Sequence, residues 1–246
     1  MKKNICGQIQ EIDPTQSQSW EKRIFLTFDT EWASDPVLEH TLDILEEFGL
    51  SATIFVTHQT PLLERMRSNS QIELGIHPNF NFLLEGDFRY GKNYMEVLDY
   101  YKKIVPEATS MRSHSMVNST RISHALKTFG IRFNCNCFIP HQSGAQVRPF
   151  VSWDNELTMI PFVWEDDISI NYKDPVALAT IARNVPYAVF NFHPIHVYLN
   201  SDSLSRYQKS KNVAHDIKKL QMHINKENIG IEDKLLDLVR DIGRRH

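Results

Sequence analysis

From Arg23 onward, short apolar runs alternate with longer stretches of helical period. That rhythm predicts β/α units around a parallel sheet. Residues 24–28 read as the first strand. Ser34, Asp35 and Pro36 then supply a cap and a proline at the first helical position. Val37, Leu38, Thr41, Leu42, Leu45 and Phe48 share one helical face, which Gly49 closes. The β-branched run 53–56 and the run 73–76 are the next strands, with a short helix over 61–67 between them. A helix over 94–104, a strand over 108–111 and a helix capped by Ser119 and closed by Gly130 follow. Further strands are expected at 132–134, 158–164 and 187–192, which makes seven in all. The stretch between the first two of these, with Gly144, Pro149 and Trp153, reads as a loop or hairpin insertion. A helix is expected over 175–182, and residues 212–242 read as terminal helices broken near Gly230. No repeat or linker interrupts the pattern. One domain is therefore expected over 23–246, preceded by an N-terminal extension, 1–22.

Composition narrows the partners. Twenty-seven Lys and Arg against thirty Asp and Glu give a net charge of −3, so the chain lacks the diffuse cationic surface that releases counterions from nucleic acid. No apolar run approaches the ~18 residues of a membrane span. Met1, Lys2 and Lys3 begin like a signal peptide, but Asn4, Gln8, Gln10 and Glu11 interrupt any apolar region behind them. Cys6, Cys135 and Cys137 form neither a C-x-x-C pair nor an even set, as expected of reduced thiols in a cytoplasmic protein.

The expected strands end in a restricted set of residues. The first runs into Asp29 and Glu31, the third into His77, the fourth into Arg112 and His114, the sixth into Asp166 and Asp167, and the last into His193 and His196. Parallel strands put their C-terminal ends on one side of the sheet, so these residues can converge on one pocket. Two histidines with one or two carboxylates are the donor set of a catalytic divalent ion, most simply zinc, with a position left open for water. Sequence motifs for serine hydrolysis, phosphate cradling, dinucleotide binding and H-E-x-x-H zinc chemistry are missing.

The run Leu26-Thr27-Phe28-Asp29-Thr30-Glu31-Trp32 and the run Glu73-Leu74-Gly75-Ile76-His77-Pro78 resemble the polysaccharide deacetylases of the NodB-homology superfamily, carbohydrate esterase family 4. Met111-Arg112-Ser113-His114 and Phe190-Asn191-Phe192-His193 fall where that family has its arginine motif and its last histidine. The stretches His77-Pro78-Asn79-Phe80 and Phe192-His193-Pro194-Ile195-His196 are similar to the WbmS-like branch, found with surface-polysaccharide genes. The resemblance implies an α/β fold, a distorted barrel of about seven β/α units in one domain, and a divalent metal: zinc, or cobalt, nickel or manganese. It also implies removal of an N-acetyl or other acyl group from an acetamido sugar, free or carried on a nucleotide or lipid.

By the same resemblance Asp29 matches the catalytic base, Arg112 the residue that orients it, and His193 the general acid. The family's metal aspartate falls at Thr30 and its second metal histidine at Asn81, so the expected metal set is Glu31, His77 and His114. A carboxylate at Asp166 or Asp167 would orient His193, with Asp167 taken as catalytic. Asn79, Trp164 and His196 are the expected substrate contacts. Other outcomes on the same fold are a deformylase or cyclic-amide hydrolase, or a sugar binder without turnover, the last motivated by Thr30 and Asn81.

Overall fold

The computed structural model describes residues 5–154 and 156–244. Nine strands make one sheet: β1 (Ile24–Asp29), β2 (Ala52–Val56), β3 (Ile72–Ile76), β4 (Ser110–Met111), β5 (Phe133–Phe138), β6 (Phe150–Val151), β7 (Thr158–Phe162), β8 (Trp164–Glu165) and β9 (Ala188–Phe192). Their order is β6-β7-β5-β4-β3-β2-β1-β9-β8. The pairings are parallel apart from the short antiparallel contact of β6 with β7.

The two ends of that order meet on one stretch of chain, because only Val163 separates β7 from β8. The Val163 N–H donates to the Val189 carbonyl of β9 at 3.0 Å, while its own carbonyl accepts from the His141 N–H at 2.9 Å. The expected strand over 158–164 is therefore two. Its first part pairs with β5 and its second with β9, so the sheet curls into an incomplete barrel. With β7 and β8 taken as one staggered strand and β6 as an outer addition, seven parallel positions surround the centre. The α/β fold is thus the distorted barrel of about seven β/α units expected from the sequence.

β1, β2, β3 and β9 are buried along their whole length, as strands covered on both faces must be. Outside them, helix Asp35–Glu47 buries Val37, Leu38, Thr41, Leu42, Ile44 and Leu45, while Phe48 sits past its end, 40% exposed. Each fully buried apolar side chain of that face contributes roughly 1.5–3 kcal/mol. The segment ahead of β1 packs against the barrel. Ile9 and Ile12 are buried, Gly7 donates to the Ile24 carbonyl, and the Ile9 and Gln10 N–H groups reach Thr53 and Glu73.

At the other end of the chain, the helices expected over 212–242 are a one-turn helix Ile217–Leu220 between short 3-10 turns, and helix Ile231–Arg244, which packs Leu235, Leu238 and Ile242 inward. Gly230, just before that helix, passes so close to Asn200 that a Cβ there would stand 2.0 Å from its carbonyl oxygen.

Candidate functional site

The C-terminal ends of β1, β3, β4, β8 and β9 open into one cavity of about 280 Å³. Asp29, Glu31, His77, Arg112, His114, Asp167, His193 and His196 all line it, so eight of the eleven residues singled out by sequence come together.

Glu31 reaches the pocket by an unusual backbone path. Beyond β1, Glu31 and Trp32 both take left-handed conformations, at φ 46° and 56°, which non-glycine residues adopt at a cost of about 1–2 kcal/mol each. This turn brings the Glu31 carboxylate to two histidines. Its Oε1 lies 2.8 Å from His77 Nε2 and 2.7 Å from His114 Nδ1. Ser115 and Met116, just after His114, form a second left-handed pair, at φ 54° and 55°. Backbone strain of this kind gathers at functional sites. Burial works against the Glu31 charge, but the bonds to His114 and His77 outweigh it and hold the carboxyl well below the usual carboxylate range. The three donor atoms lie within 4.8 Å of one another.

This set fits a divalent cation. It offers two imidazoles and a carboxylate, all three lining the cavity. The buried Nδ1 of His77 has no hydrogen bond and faces Asp29 Oδ1 at 3.5 Å, an outer carboxylate of the kind that orients ligating histidines. Thr30 and Asn81 take no part. Thr30 Oγ1 bonds to Thr57, and Asn81 starts a short helix and donates to Ser115 Oγ.

Asp29 is 3% exposed and firmly held. Its Oδ1 accepts from Arg112 Nη1 at 3.1 Å and its Oδ2 from Asn191 Nδ2 at 2.8 Å. The Arg112 guanidinium is sandwiched between the rings of Phe55 and Phe162, at 4.7 and 4.6 Å, and also donates to Thr27 Oγ1, Asn191 Oδ1 and the Cys135 carbonyl. Planar stacking plus forked donation is what distinguishes arginine from lysine at such a site. Asn191 was not expected from the sequence, although a lone amide inside the apolar strand β9 was the available signal.

His193 follows β9. Its Nδ1 bonds to Asp166 Oδ1 at 2.6 Å and its backbone N–H to Asp166 Oδ2 at 2.6 Å, while Nε2 points to Asp29 Oδ2 at 4.0 Å. The orienting carboxylate is therefore Asp166 and not Asp167. Helix Asp166–Tyr172 begins at this point, and its first residue, fully buried, turns toward β9, while Asp167 turns to His196 Nε2 at 2.7 Å. Burial disfavours a charged His193, but Asp166, aided by Asp167 and Asp29, more than offsets it and raises its pKa well above the usual histidine value.

Two expected substrate contacts lie elsewhere. Trp164 is 2% exposed and packs against Phe190 and Phe192 instead of facing the reaction pocket. Asn79 is buried and turns back on the chain, its Oδ1 accepting from the Asn81 N–H. The pocket wall also includes Glu165, Tyr207 and Lys211, which sequence reasoning did not find. Glu165 lies hidden in a strand end, and the other two come from a short helix and turn without a distinctive motif.

Among the described residues no helix is long and apolar enough to cross a membrane. No curated protein matches the chain. A sequence model described as WbmS-like polysaccharide deacetylase matches residues 26–211. A solved structure from Bordetella bronchiseptica, WbmS, described as a candidate polysaccharide deacetylase involved in O-antigen biosynthesis, is 38% identical. It aligns with a TM-score of 0.91 over 96% of this chain and 98% of that one. Two likenesses are more distant. A candidate polysaccharide deacetylase from Mycobacterium smegmatis is 16% identical, with a TM-score of 0.44 over 88% and 90% of the two chains. A family 4 carbohydrate esterase from Streptomyces lividans is 12% identical, with a TM-score of 0.40 over 81% and 86%. The chain belongs to the WbmS-like polysaccharide deacetylases.

Proposed function

We propose that this protein is a metal-dependent deacetylase that removes an N-acetyl group from a sugar in the synthesis of a bacterial surface polysaccharide, working in the cytoplasm. The observation that carries the reading is the meeting of Glu31, His77 and His114 with Asp29 and His193 on one pocket. The Bordetella relative, described as involved in O-antigen biosynthesis, supplies the biological setting.

Glu31, His77 and His114 would hold the cation, with zinc favoured by the donor set and cobalt, nickel or manganese as alternatives. Such an ion, when bound, polarises a carbonyl and lowers the pKa of water to about 7. Asp29, fixed by Arg112 and Asn191, accepts the proton of the attacking water on a carboxylate oxygen. His193, charged and held through Nδ1 by Asp166, donates its Nε2 proton to the departing nitrogen as the amide C–N bond breaks. Acetate and a free amine are the products. Met116, Phe162 and Ile195 give the pocket an apolar wall suited to the acetyl methyl. Thr30 and Asn81, which argued for a binder without turnover, lose that force because Glu31 and His114 supply the donors they lack.

The test is acetate release from N-acetyl sugars by the metal-loaded protein, with and without a chelator, beside Asp29→Asn and His193→Ala. Release that stops with the chelator and with either variant is expected. Formate release from N-formyl sugars alone would move the reading to a deformylase, and undiminished release by either variant would overturn the assigned roles.

A further inference from the structure

The segment between β9 and the last helix carries a charge opposite to that of the whole chain. Residues 204–226 hold six Lys and Arg against a single acid, Asp216, whereas the net charge of the protein is −3. The segment folds as helix Leu204–Ser210, a 3-10 turn Lys211–Val213, helix Ile217–Leu220 and a second 3-10 turn, Gln221–His223. Its apolar side chains turn inward. Leu220 is fully buried, and Tyr207, Ile217 and Ile224 pack against the cluster it forms with Tyr198 and Leu199. Arg206 ties the pieces together, donating to Asp202 Oδ1 at 2.8 Å and to the His223 carbonyl at 3.1 Å.

That packing leaves the lysines outside. Lys209, Lys211, Lys218, Lys219 and Lys226 are all exposed. Lys219 pairs with Asp216 at 3.0 Å, and the Lys211 ammonium lies over the Tyr207 ring at 4.9 Å. Lys209, Lys218 and Lys226 make no ion pair among the described residues. Met222, between Lys219 and Lys226 in sequence, is 83% exposed, although methionine is normally turned inward. Tyr207 and Lys211 also line the reaction pocket, so the charged face is continuous with the rim of that pocket.

Of the five lysines only Lys211 reaches the reaction pocket, and the others are spread over open surface. Ammonium groups spread in this way suit an extended anionic surface better than a single phosphate or carboxylate. Lysines around an exposed apolar side chain, on a segment whose other face is packed, are the pattern of a protein that rests on an anionic bilayer. The Met222 side chain gains from an apolar layer that a soluble polyanion does not offer.

We propose that this basic face docks the protein on an anionic phospholipid membrane, with the rim of the reaction pocket turned to the bilayer and Met222 entering the headgroup layer. The docking stands on charge and exposure. Its consequence, that the substrate sugar is presented on a lipid anchored in that membrane, rests on the deacetylase reading above. Because the chain as a whole is acidic, such a surface attracts this face and repels the others, and the charge asymmetry therefore sets the orientation.

The metal-loaded protein is sedimented with vesicles of phosphatidylcholine alone and of phosphatidylcholine mixed with phosphatidylglycerol, at rising salt. Wild type should sediment with the mixed vesicles only and be released as salt screens the charges. The triple variant Lys209→Glu, Lys218→Glu, Lys226→Glu changes exposed, unpaired sites and should lose about tenfold or more in vesicle partitioning. It should release acetate from a free N-acetylhexosamine at the wild-type rate, but more slowly than wild type from an N-acetylhexosaminyl lipid embedded in the mixed vesicles. Met222→Ser should weaken binding to the mixed vesicles without altering its salt dependence. Equal sedimentation with both kinds of vesicle, none with either, or undiminished binding by either variant would overturn the proposal. Retention on soluble dextran sulfate without vesicle binding would also overturn it, in favour of a polyanion. If no acetyl group is released from any substrate but vesicle binding still depends on the lysines, the deacetylase reading fails and the docking face stands.

Discussion

Asp166→Asn isolates one carboxylate oxygen. In wild type Asp166 receives both the His193 backbone N–H and the His193 Nδ1–H at 2.6 Å and is completely buried. An asparagine keeps an acceptor for the backbone N–H but turns its NH2 toward Nδ1. Donor then faces donor unless the imidazole gives up its Nδ1 proton and becomes neutral. A hydrogen bond to a charged group is worth about 1.5–3 kcal/mol net. At 1.36 kcal/mol per pKa unit, that loss lowers the His193 pKa by about one to two units. The sign follows from the role. His193 is raised above its ordinary value and acts in the protonated form, so activity persists to high pH in wild type and is lost as His193 deprotonates. In the variant that alkaline limb moves down by about one to two pH units, so the deficit widens as the pH rises and shrinks as it falls. The assay is the pH profile of kcat/KM for wild type, Asp166→Asn and Asp167→Asn. A deficit in Asp166→Asn that does not vary with pH, or a larger displacement in Asp167→Asn, would refute the reasoning.

Other substitutions probe the neighbouring parts. Glu31→Ala should reduce bound metal below one equivalent by elemental analysis, whereas Asn81→Ala should leave it unchanged, because the Asn81 side chain donates to Ser115 and stands outside the donor set. Arg112→Met strips the partner from buried Asp29 and should destabilise the fold by about 3–5 kcal/mol in denaturant titration, together with loss of activity. Ile9→Ala, at a fully buried site ahead of β1, should cost about 2–5 kcal/mol in the same measurement with kcat of the folded protein unaltered. Metal affinity should fall as the solution is acidified, since His77 and His114 ligate only when neutral, and competition titrations at several pH values measure it.

Much of this architecture was legible because its signals are local. A capped, one-faced helix at Asp35–Glu47 and the buried β-branched run of β2 each carry their own period. Convergence of Asp29, Glu31, His77, His114 and His193 followed from parallel topology alone. What was hidden depends on contacts distant in sequence. The split of β7 from β8 arises because Val163 bonds to β9 on one side and to the 139–141 segment on the other, which no period of two reveals. Asp166 and Asp167 are adjacent acids whose roles are divided only by the helix start that turns one inward. Trp164 was expected to contact the sugar, yet tryptophans beside strands are more often core, and its ring is taken up by Phe190 and Phe192. Glu165 carried no signal until burial without a partner made it conspicuous.

Anomalous diffraction from zinc-grown crystals, recorded on both sides of the zinc absorption edge, tests the metal centre most directly. One strong peak is expected about 2.0–2.2 Å from a Glu31 oxygen, His77 Nε2 and His114 Nδ1, with Asp29 beside it and not coordinating. A peak seated instead on Asp166, Asp167 and His196, or none at this pocket, would contradict the assignment of the metal and of every role derived from it.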